Sequence, residues 1–208
     1  MIKAVIFDMG SVLTTDEWPP VYAKIADELK ISKKKIRDAV KPLYRKWSAG
    51  KIDEADFWRK FRAETGVKLS LSEEFTKDFW FKTYKNLSKD IKESWEILTE
   101  LKTKGFRLAL LSNIVDVHFL ANREMGRLDR LRDIGFEKFV WSFKEGVRKP
   151  DPKIYKAMLK KLNLPAEACV FIDDQLENIE TAKKLGMKGI HFKTPEKLRK
   201  KLMKLGLL

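Results

Sequence analysis

The stretch "AVIFDMGSVL" at residues 4–13 decides the fold of this chain. Its four apolar residues end at Asp8, and Gly10 follows two positions later. A short apolar run that stops at turn residues is typical of a strand buried on both faces of a parallel sheet. In open sheets of this kind, ligands bind at the carboxyl ends of the strands. The stretch therefore predicts a first buried strand that carries a carboxylate to the edge where ligands bind.

Further apolar runs repeat this form along the chain. With the first run at residues 3–7, they lie at 107–112, 168–172 and 188–192, and a weaker one lies at 139–142. Between them, apolar residues recur at helical spacing, and two of these patterns end at Gly105 and Gly186, as helices commonly do. Alternating strands and helices predict an α/β fold with a Rossmann-like, doubly wound parallel sheet.

A long interval without strand patterns separates the first and second runs. Residues 16–87 contain four helical patterns that are rich in tryptophan and phenylalanine. Aromatic residues at helical spacing indicate the packing of a bundle rather than a cofactor site. We therefore predict an inserted four-helix-bundle cap domain at 16–87 and an α/β core formed by residues 1–15 and 88–208.

The composition restricts the class of protein. The chain has 208 residues, a net charge of +14 and 36% charged residues. Its lysines are spread over many amphipathic segments, which favours solvated helix faces and makes nucleic-acid binding unlikely. The first apolar run is too short for a leader and no run is long enough for a membrane span, so we expect a soluble, cytoplasmic protein. The excess of Lys, Arg and Glu is typical of a thermophile.

Polar residues follow several of the predicted strands. Each alone is an ordinary turn, helix-capping or surface residue, but together they place carboxylates, a hydroxyl and an ammonium at one edge of the sheet. They are Asp8, Ser112, Asn113, Lys149, Asp173 and Asp174. The ordered set predicts a shared anion and metal site.

In these residues the chain resembles the haloacid dehalogenase superfamily over almost its whole length. The corresponding motifs are "FDMGSVL", "LLSN", "RKPDPKIY" and "FIDDQLENI", in the order of that family. The helical insertion resembles the family's helical (C1) cap. The glycine in the first motif resembles a branch of sugar-phosphate phosphatases. The resemblance implies a hydrolase that removes phosphate from a small phosphorylated substrate.

The resemblance also implies catalytic roles. Asp8 would be the nucleophile that forms a covalent aspartyl-phosphate. Ser112 and the backbone amide of Asn113 would bind the transferring phosphoryl group. Lys149 would neutralise the charge between phosphate and nucleophile.

A Mg²⁺ cofactor is implied by the same motifs. Its ligands would be Asp8, the backbone carbonyl of Gly10 and Asp174, which are hard oxygen donors. Asp173 would orient a metal-bound water, and Asn178 would support these ligands from behind.

Gly10 departs from the pattern of most phosphatases in this family, which have an aspartate there as general acid and base. The departure favours good leaving groups or a substitute acid, for which Asp16 and Glu17 are candidates. It leaves two alternatives open. One is a metal-free 2-haloacid dehalogenase with Asp8 as nucleophile, which the acidic pair at 173–174 disfavours. The other is a catalytically silent protein that binds a phosphorylated ligand.

The predicted cap has one candidate segment for substrate selection. The loop "YRKWSAGKID" at residues 44–53 lies where related caps contact the substrate. Arg45, Trp47 and Lys51 are its candidate substrate-binding residues. An ordinary turn between helices, ending at Gly50, would explain the same residues. The two histidines, His118 and His191, lie outside the motifs and are interpreted as structural, and Cys169 as buried.

Overall fold

A computed structural model describes residues 1–15, 18–67 and 73–208, except the side chains of residues 73–77. Five parallel strands form one sheet in the order β3-β2-β1-β4-β5. The strands are β1 (Ala4–Phe7), β2 (Arg107–Ser112), β3 (Phe136–Trp141), β4 (Cys169–Asp173) and β5 (Lys188–His191). The predicted α/β class is confirmed. The weak run at 139–142 is the end of a longer strand that begins at Phe136.

The strand order places β1 at the centre of the sheet. Phe7 is aligned with Leu110 of β2 on one side and with Ile172 of β4 on the other. The residues that follow these positions therefore emerge side by side. Because the chain crosses from β3 on one side of β1 to β4 on the other, the order reverses next to β1, which is where open α/β sheets bind ligands.

Helices cover both faces of the sheet. They are α5 (Lys92–Thr103), α6 (Asp116–Glu124), α7 (Arg127–Ile134), α8 (Ser142–Glu145), α9 (Pro152–Leu162), α10 (Leu176–Lys184) and α11 (Pro195–Lys204). Val5 and Phe7 belong to a buried cluster on one face, and Ala4 and Ile6 to a cluster on the other. This separation follows from the two-residue period of a strand, and it explains why β1 is apolar at every position.

Four helices lie between β1 and β2 in the chain. They are α1 (Trp18–Leu29), α2 (Lys33–Ser48), α3 (Glu54–Thr65) and α4 (Glu73–Leu87). They share a buried cluster with many aromatic residues, in which the Trp80 and Phe57 rings meet edge to face with 5.3 Å between centroids. The prediction that these aromatic residues pack among the inserted helices is confirmed.

Side chains of the inserted helices reach helix α6 of the sheet unit. Trp47 Nε1 donates to Asp116 Oδ1 at 2.8 Å, and the Tyr44 hydroxyl lies 3.1 Å from His118 Nδ1. These polar contacts fasten the inserted helices over the carboxyl edge of the sheet. None of the helices in the described part of the chain combines the length and apolar character that a membrane span requires.

Candidate active site

Asp8 lies at the carboxyl end of β1 and is almost completely buried, with 6% of its surface exposed. Its backbone N–H donates to Ile172 O, which holds the residue in line with β4. Its Oδ1 accepts from the Met9 N–H at 2.7 Å. Burial raises the pKa of the carboxyl to about 8, with Lys149 opposing the rise and Asp173 adding to it. The site therefore has to supply positive charge to keep Asp8 ionised.

Lys149 supplies one such charge. Its ammonium lies 2.9 Å from Asp8 Oδ1 and 2.7 Å from Asp173 Oδ2, and it donates to Leu111 O at 2.9 Å. These acceptors match the three donors of an ammonium group, whose side chain is fully buried. Burial acts to lower the pKa of Lys149, but the carboxylates of Asp173 and Asp8 outweigh it, and the pKa is raised. Lys149 is therefore a fixed cation at the base of the site.

The side chain of Asn113 holds the backbone of Lys149. Its Oδ1 accepts from Lys149 N at 2.8 Å, and its Nδ2 donates to Lys149 O at 3.0 Å. Asn113 thus uses both ends of its amide on one residue and fixes the loop that follows α8. Ser112 is buried beside it at the end of β2, in register with Trp141 of β3. The sequence predicted a role only for the backbone amide of Asn113, and it did not indicate these two hydrogen bonds of the side chain.

Asp173 is saturated by donors from the protein. Its Oδ1 accepts from Gln175 N at 2.8 Å and from Asn178 Nδ2 at 2.9 Å, while Oδ2 faces Lys149. Asp173 and Asn178 are both fully buried. This pair therefore orients Lys149, whereas the adjacent Asp174 is only partly buried and lines the pocket.

Three carboxylates converge at this edge of the sheet. Ligand atoms of Asp8, Asp173 and Asp174 all lie within 4.8 Å of one another. Carboxylate oxygens at this separation suit a hard divalent cation such as Mg²⁺. A cation there would also offset the repulsion between the carboxylates.

A cavity of about 350 Å³ opens above these carboxylates, between the sheet and the inserted helices. Its size is within the range of pockets for small molecules. The sheet unit contributes Asp8, Gly10, Asn113, Arg148, Asp174 and Gln175. Helices α1 and α2 contribute Trp18, Tyr22, Arg37, Lys41, Tyr44 and Arg45.

Comparison with known proteins decides the family. Residues 2–186 match the family described as haloacid dehalogenase-like hydrolase. The chain belongs to this family. It is 32% identical to the sesquiterpene phosphatase astK of Aspergillus oryzae over 91% of this chain and 89% of that protein. It is 29% identical to a phosphorylated carbohydrates phosphatase of Thermotoga maritima over 91% and 84% of the two chains.

A solved structure shares the fold of this haloacid dehalogenase-like hydrolase. It is an enzyme of the same family from Bacteroides thetaiotaomicron, in complex with magnesium and inorganic phosphate. The TM-score is 0.73 at 22% identity, covering 93% of this chain and 96% of the other. The family membership identifies the chain as a hydrolase, and its phosphatase-named relatives indicate phosphatase activity.

The three predicted substrate-binding residues at 44–53 lie in different surroundings in the structure of the hydrolase. Arg45 lines the pocket that contains Asp8. Trp47 is buried in the cluster of the inserted helices, with its indole N–H directed to Asp116, and Lys51 lines a different hollow beside Asp53. The structure therefore brings only Arg45 of this set to the pocket. Asp16 and Glu17, the candidate substitute acids, lie outside the described residues.

Several pocket residues of the hydrolase were missed in the sequence. Arg37 and Lys41 were not among the predicted residues, although they precede the predicted Arg45 at intervals of four. This spacing places the three on one face of α2 and could have indicated a basic stripe. Arg148 directly precedes Lys149. His191, interpreted as structural, lies with Nε2 2.8 Å from the backbone carbonyl of Asp174 and so holds the loop that carries this carboxylate.

Proposed function

We propose that this hydrolase is a Mg²⁺-dependent phosphatase that removes phosphate from a small phosphorylated metabolite, a sugar phosphate being one candidate. The observation that carries the proposal is the meeting of a buried nucleophile, Asp8, with the fixed cation of Lys149 and the pocket-facing carboxylate of Asp174. A phosphoryl group entering this pocket would meet Asp8 and Asp174 directly, with the Lys149 ammonium just behind, 2.9 Å from Asp8 Oδ1.

The residues present fit a magnesium ion. Asp8, Asp174 and the backbone carbonyl of Gly10 would hold it, since they are hard oxygen donors that line one pocket. When bound, the ion supplies positive charge for the phosphate oxygens and for the ionised form of Asp8. The relative from Bacteroides thetaiotaomicron, which contains magnesium and inorganic phosphate, supports this assignment.

Asp8 would act through its second carboxylate oxygen. Because Oδ1 is held by Met9 N and Lys149 Nζ, we assign the attack on phosphorus to Oδ2. The new Oδ2–P bond forms as the bond from phosphorus to the leaving oxygen breaks, and the leaving oxygen takes the electron pair. Water then attacks the aspartyl-phosphate and releases inorganic phosphate, which regenerates Asp8.

Other residues of the chain would position the phosphoryl group and exclude water. Lys149 holds Asp8 in the orientation for attack, and Ser112 with the backbone amide of Asn113 would bind the phosphoryl oxygens. We propose that residues 16–87 act as a cap over the pocket, which would limit the substrate to a small molecule.

One experiment separates this function from its two rivals. Phosphate release from a panel of phosphate monoesters and chloride release from 2-chloropropionate are measured with and without Mg²⁺. We expect Mg²⁺-dependent phosphate release that Asp8→Asn abolishes and that Asp27→Asn, at an exposed site on α1, leaves intact. Metal-independent chloride release would replace the proposal with a dehalogenase. Binding of a phosphorylated ligand without release of either ion would replace it with a silent binding protein.

A further inference from the structure

The cap side of the pocket contains more positive charge than a single phosphate needs. Arg37, Lys41 and Arg45 line it from α2, and over this interval a helix rises about 12 Å. The carboxylate that Arg37 contacts, Asp38 at 3.5 Å, belongs to an exposed pair of little energetic weight. The basic stripe therefore remains available to a ligand in the pocket.

Arg148 extends this positive charge onto the sheet side. Its Nε is buried and has no hydrogen-bond partner among the described residues. Burial lowers the pKa of Arg148, and the neighbouring charge of Arg45 lowers it further, while Tyr44, Glu177 and Asp8 oppose the change. Arg148, Arg45 and Asp8 all line the same cavity. Two guanidinium groups on opposite walls form a site for an anion beside the nucleophile.

The phosphoryl group that is transferred already has its own partners. According to the function proposed above, Mg²⁺ and Lys149 would neutralise its charge. Ser112 and the backbone amide of Asn113, at the end of β2, would bind its oxygens. The anion between Arg45 and Arg148 is therefore a second one. It has to lie on the leaving-group side, because Lys149 and the strand ends occupy the floor of the pocket behind Asp8.

The glycine at position 10 points to the identity of the second anion. An alkoxide leaving group requires a proton from a general acid, which is worth roughly a hundred- to ten-thousandfold in rate. A phosphate monoester as leaving group needs no such proton near neutral pH, since its second ionisation has a pKa of about 6. Cations that bind the departing phosphate would then replace the acid.

We propose that the substrate is a diphosphate monoester, that Asp8 accepts its terminal phosphoryl group, and that Arg45 and Arg148 bind the phosphate that leaves. The proposal rests on the phosphatase function proposed above. Asp8 Oδ2 bonds to the terminal phosphorus, and the bond from that phosphorus to the bridging oxygen breaks. The bridging oxygen takes the electron pair and departs as a phosphate monoester. Water then cleaves the aspartyl-phosphate, so the net products are the monophosphate ester and inorganic phosphate.

The remaining wall of the pocket indicates the rest of the molecule. The Trp18 and Tyr22 rings are stacked with centroids 5.7 Å apart, and Tyr44 meets Trp18 edge to face at 4.8 Å. Aromatic faces bind flat or apolar groups. An ester with an apolar or aromatic alcohol part therefore fits this pocket better than a fully hydroxylated one.

The test compares esters that differ in one feature. Benzyl diphosphate, benzyl phosphate, hexane-1,6-diol bisphosphate and p-nitrophenyl phosphate are assayed with Mg²⁺ for kcat/KM. We expect kcat/KM for benzyl diphosphate to exceed that for benzyl phosphate by at least about a hundredfold. This factor is the lower end of the rate enhancement that a general acid typically supplies. Equal rates for the two benzyl esters would overturn the proposal. A preference for the bisphosphate would also overturn it, because the second anion would then be bound away from the leaving oxygen.

Variants locate the effect. We expect Arg45→Gln and Arg148→Gln each to lower the ratio of kcat/KM for benzyl diphosphate to that for p-nitrophenyl phosphate by about tenfold or more. Lys46→Gln, an exposed α2 residue outside the pocket, should leave the ratio unchanged. An unchanged ratio in both arginine variants would contradict the assignment. No phosphate release from any of the four esters by the unmodified enzyme would instead reject the underlying phosphatase function.

Discussion

Replacing Lys149 by Met tests the electrostatic design of the site. Methionine keeps a long unbranched side chain but removes the ammonium that lies 2.9 Å from Asp8 and 2.7 Å from Asp173. Removing one partner of a buried ion pair leaves an uncompensated charge and typically costs about 3–5 kcal/mol. For a chain of this length that loss lowers Tm by about 6–20 °C. The same change should reduce kcat by a hundredfold or more, because the phosphate would lose a fixed cation.

The loss of stability in Lys149→Met should depend on pH in a defined direction. Without the ammonium, the pKa of the Asp8 carboxyl, which burial already raises to about 8, rises further above its value in the unfolded chain. A group with a raised folded pKa contributes stability at low pH and loses it as pH increases, so the variant should approach the parent near pH 5 and fall behind it towards pH 9.

The measurement is urea or thermal unfolding between pH 5 and pH 9 in the absence of Mg²⁺. Lys153→Met, which replaces an exposed lysine near the same loop, is the matched control and should follow the parent at every pH. Added Mg²⁺ should restore part of the stability of Lys149→Met, since it places positive charge at the same carboxylates. A deficit of equal size at pH 5 and pH 9 would refute this reasoning and show that packing, not charge, is the main contribution of Lys149.

Three further substitutions address other parts of the molecule. Gly10→Asp should raise kcat/KM for alkyl phosphates by up to about a hundred- to ten-thousandfold but leave p-nitrophenyl phosphate, which has a good leaving group, nearly unchanged in a direct assay of phosphate release. Trp47→Phe should cost about 1–3 kcal/mol more in urea unfolding than Trp80→Phe, because the Trp47 indole donates a hydrogen bond to Asp116 whereas the buried Trp80 indole has no partner among the described residues. Burial lowers the pKa of His118 to about 3, so the parent should lose about 1.4 kcal/mol per pH unit as the pH falls below 6.5, and His118→Gln should lose less over the same range.

The sheet could be predicted from the sequence because each buried strand is almost entirely apolar and ends at a polar residue. The β1 run and Asp8 follow this rule, and so do β4 and Asp173. The strand β3 was underestimated at its start, since Glu137 and Lys138 interrupt the apolar pattern on a strand that lies at the edge of the sheet. Edge positions tolerate charged residues, and a continuous apolar run is not required there.

Residues 44–53 show why the pocket was harder to predict than the sheet. Arg45, Trp47 and Lys51 lie close in sequence, but their directions depend on the helical phase of α2 and on where it ends. Residues two positions apart on a helix do not share a face, so Arg45 reaches the pocket while Trp47 packs inside the bundle. The spacing of four that joins Arg37, Lys41 and Arg45 was visible in the sequence. Which wall they would line depended on how the inserted helices pack on the sheet.

The positioning of the site depends on side chains that act on the backbone. Asn113 holds both polar backbone atoms of Lys149, and His191 contacts the backbone carbonyl of Asp174. Each comes from the strand next to the loop that it holds, or from the residue just after that strand. A catalytic side chain on a loop is only as well placed as its backbone, and a displacement of about 1 Å can cost a hundredfold in rate. The rigidity of the sheet is thereby transmitted to Lys149 and Asp174, which lie outside the strands, and this is why residues with no chemical role in the reaction belong to the functional unit.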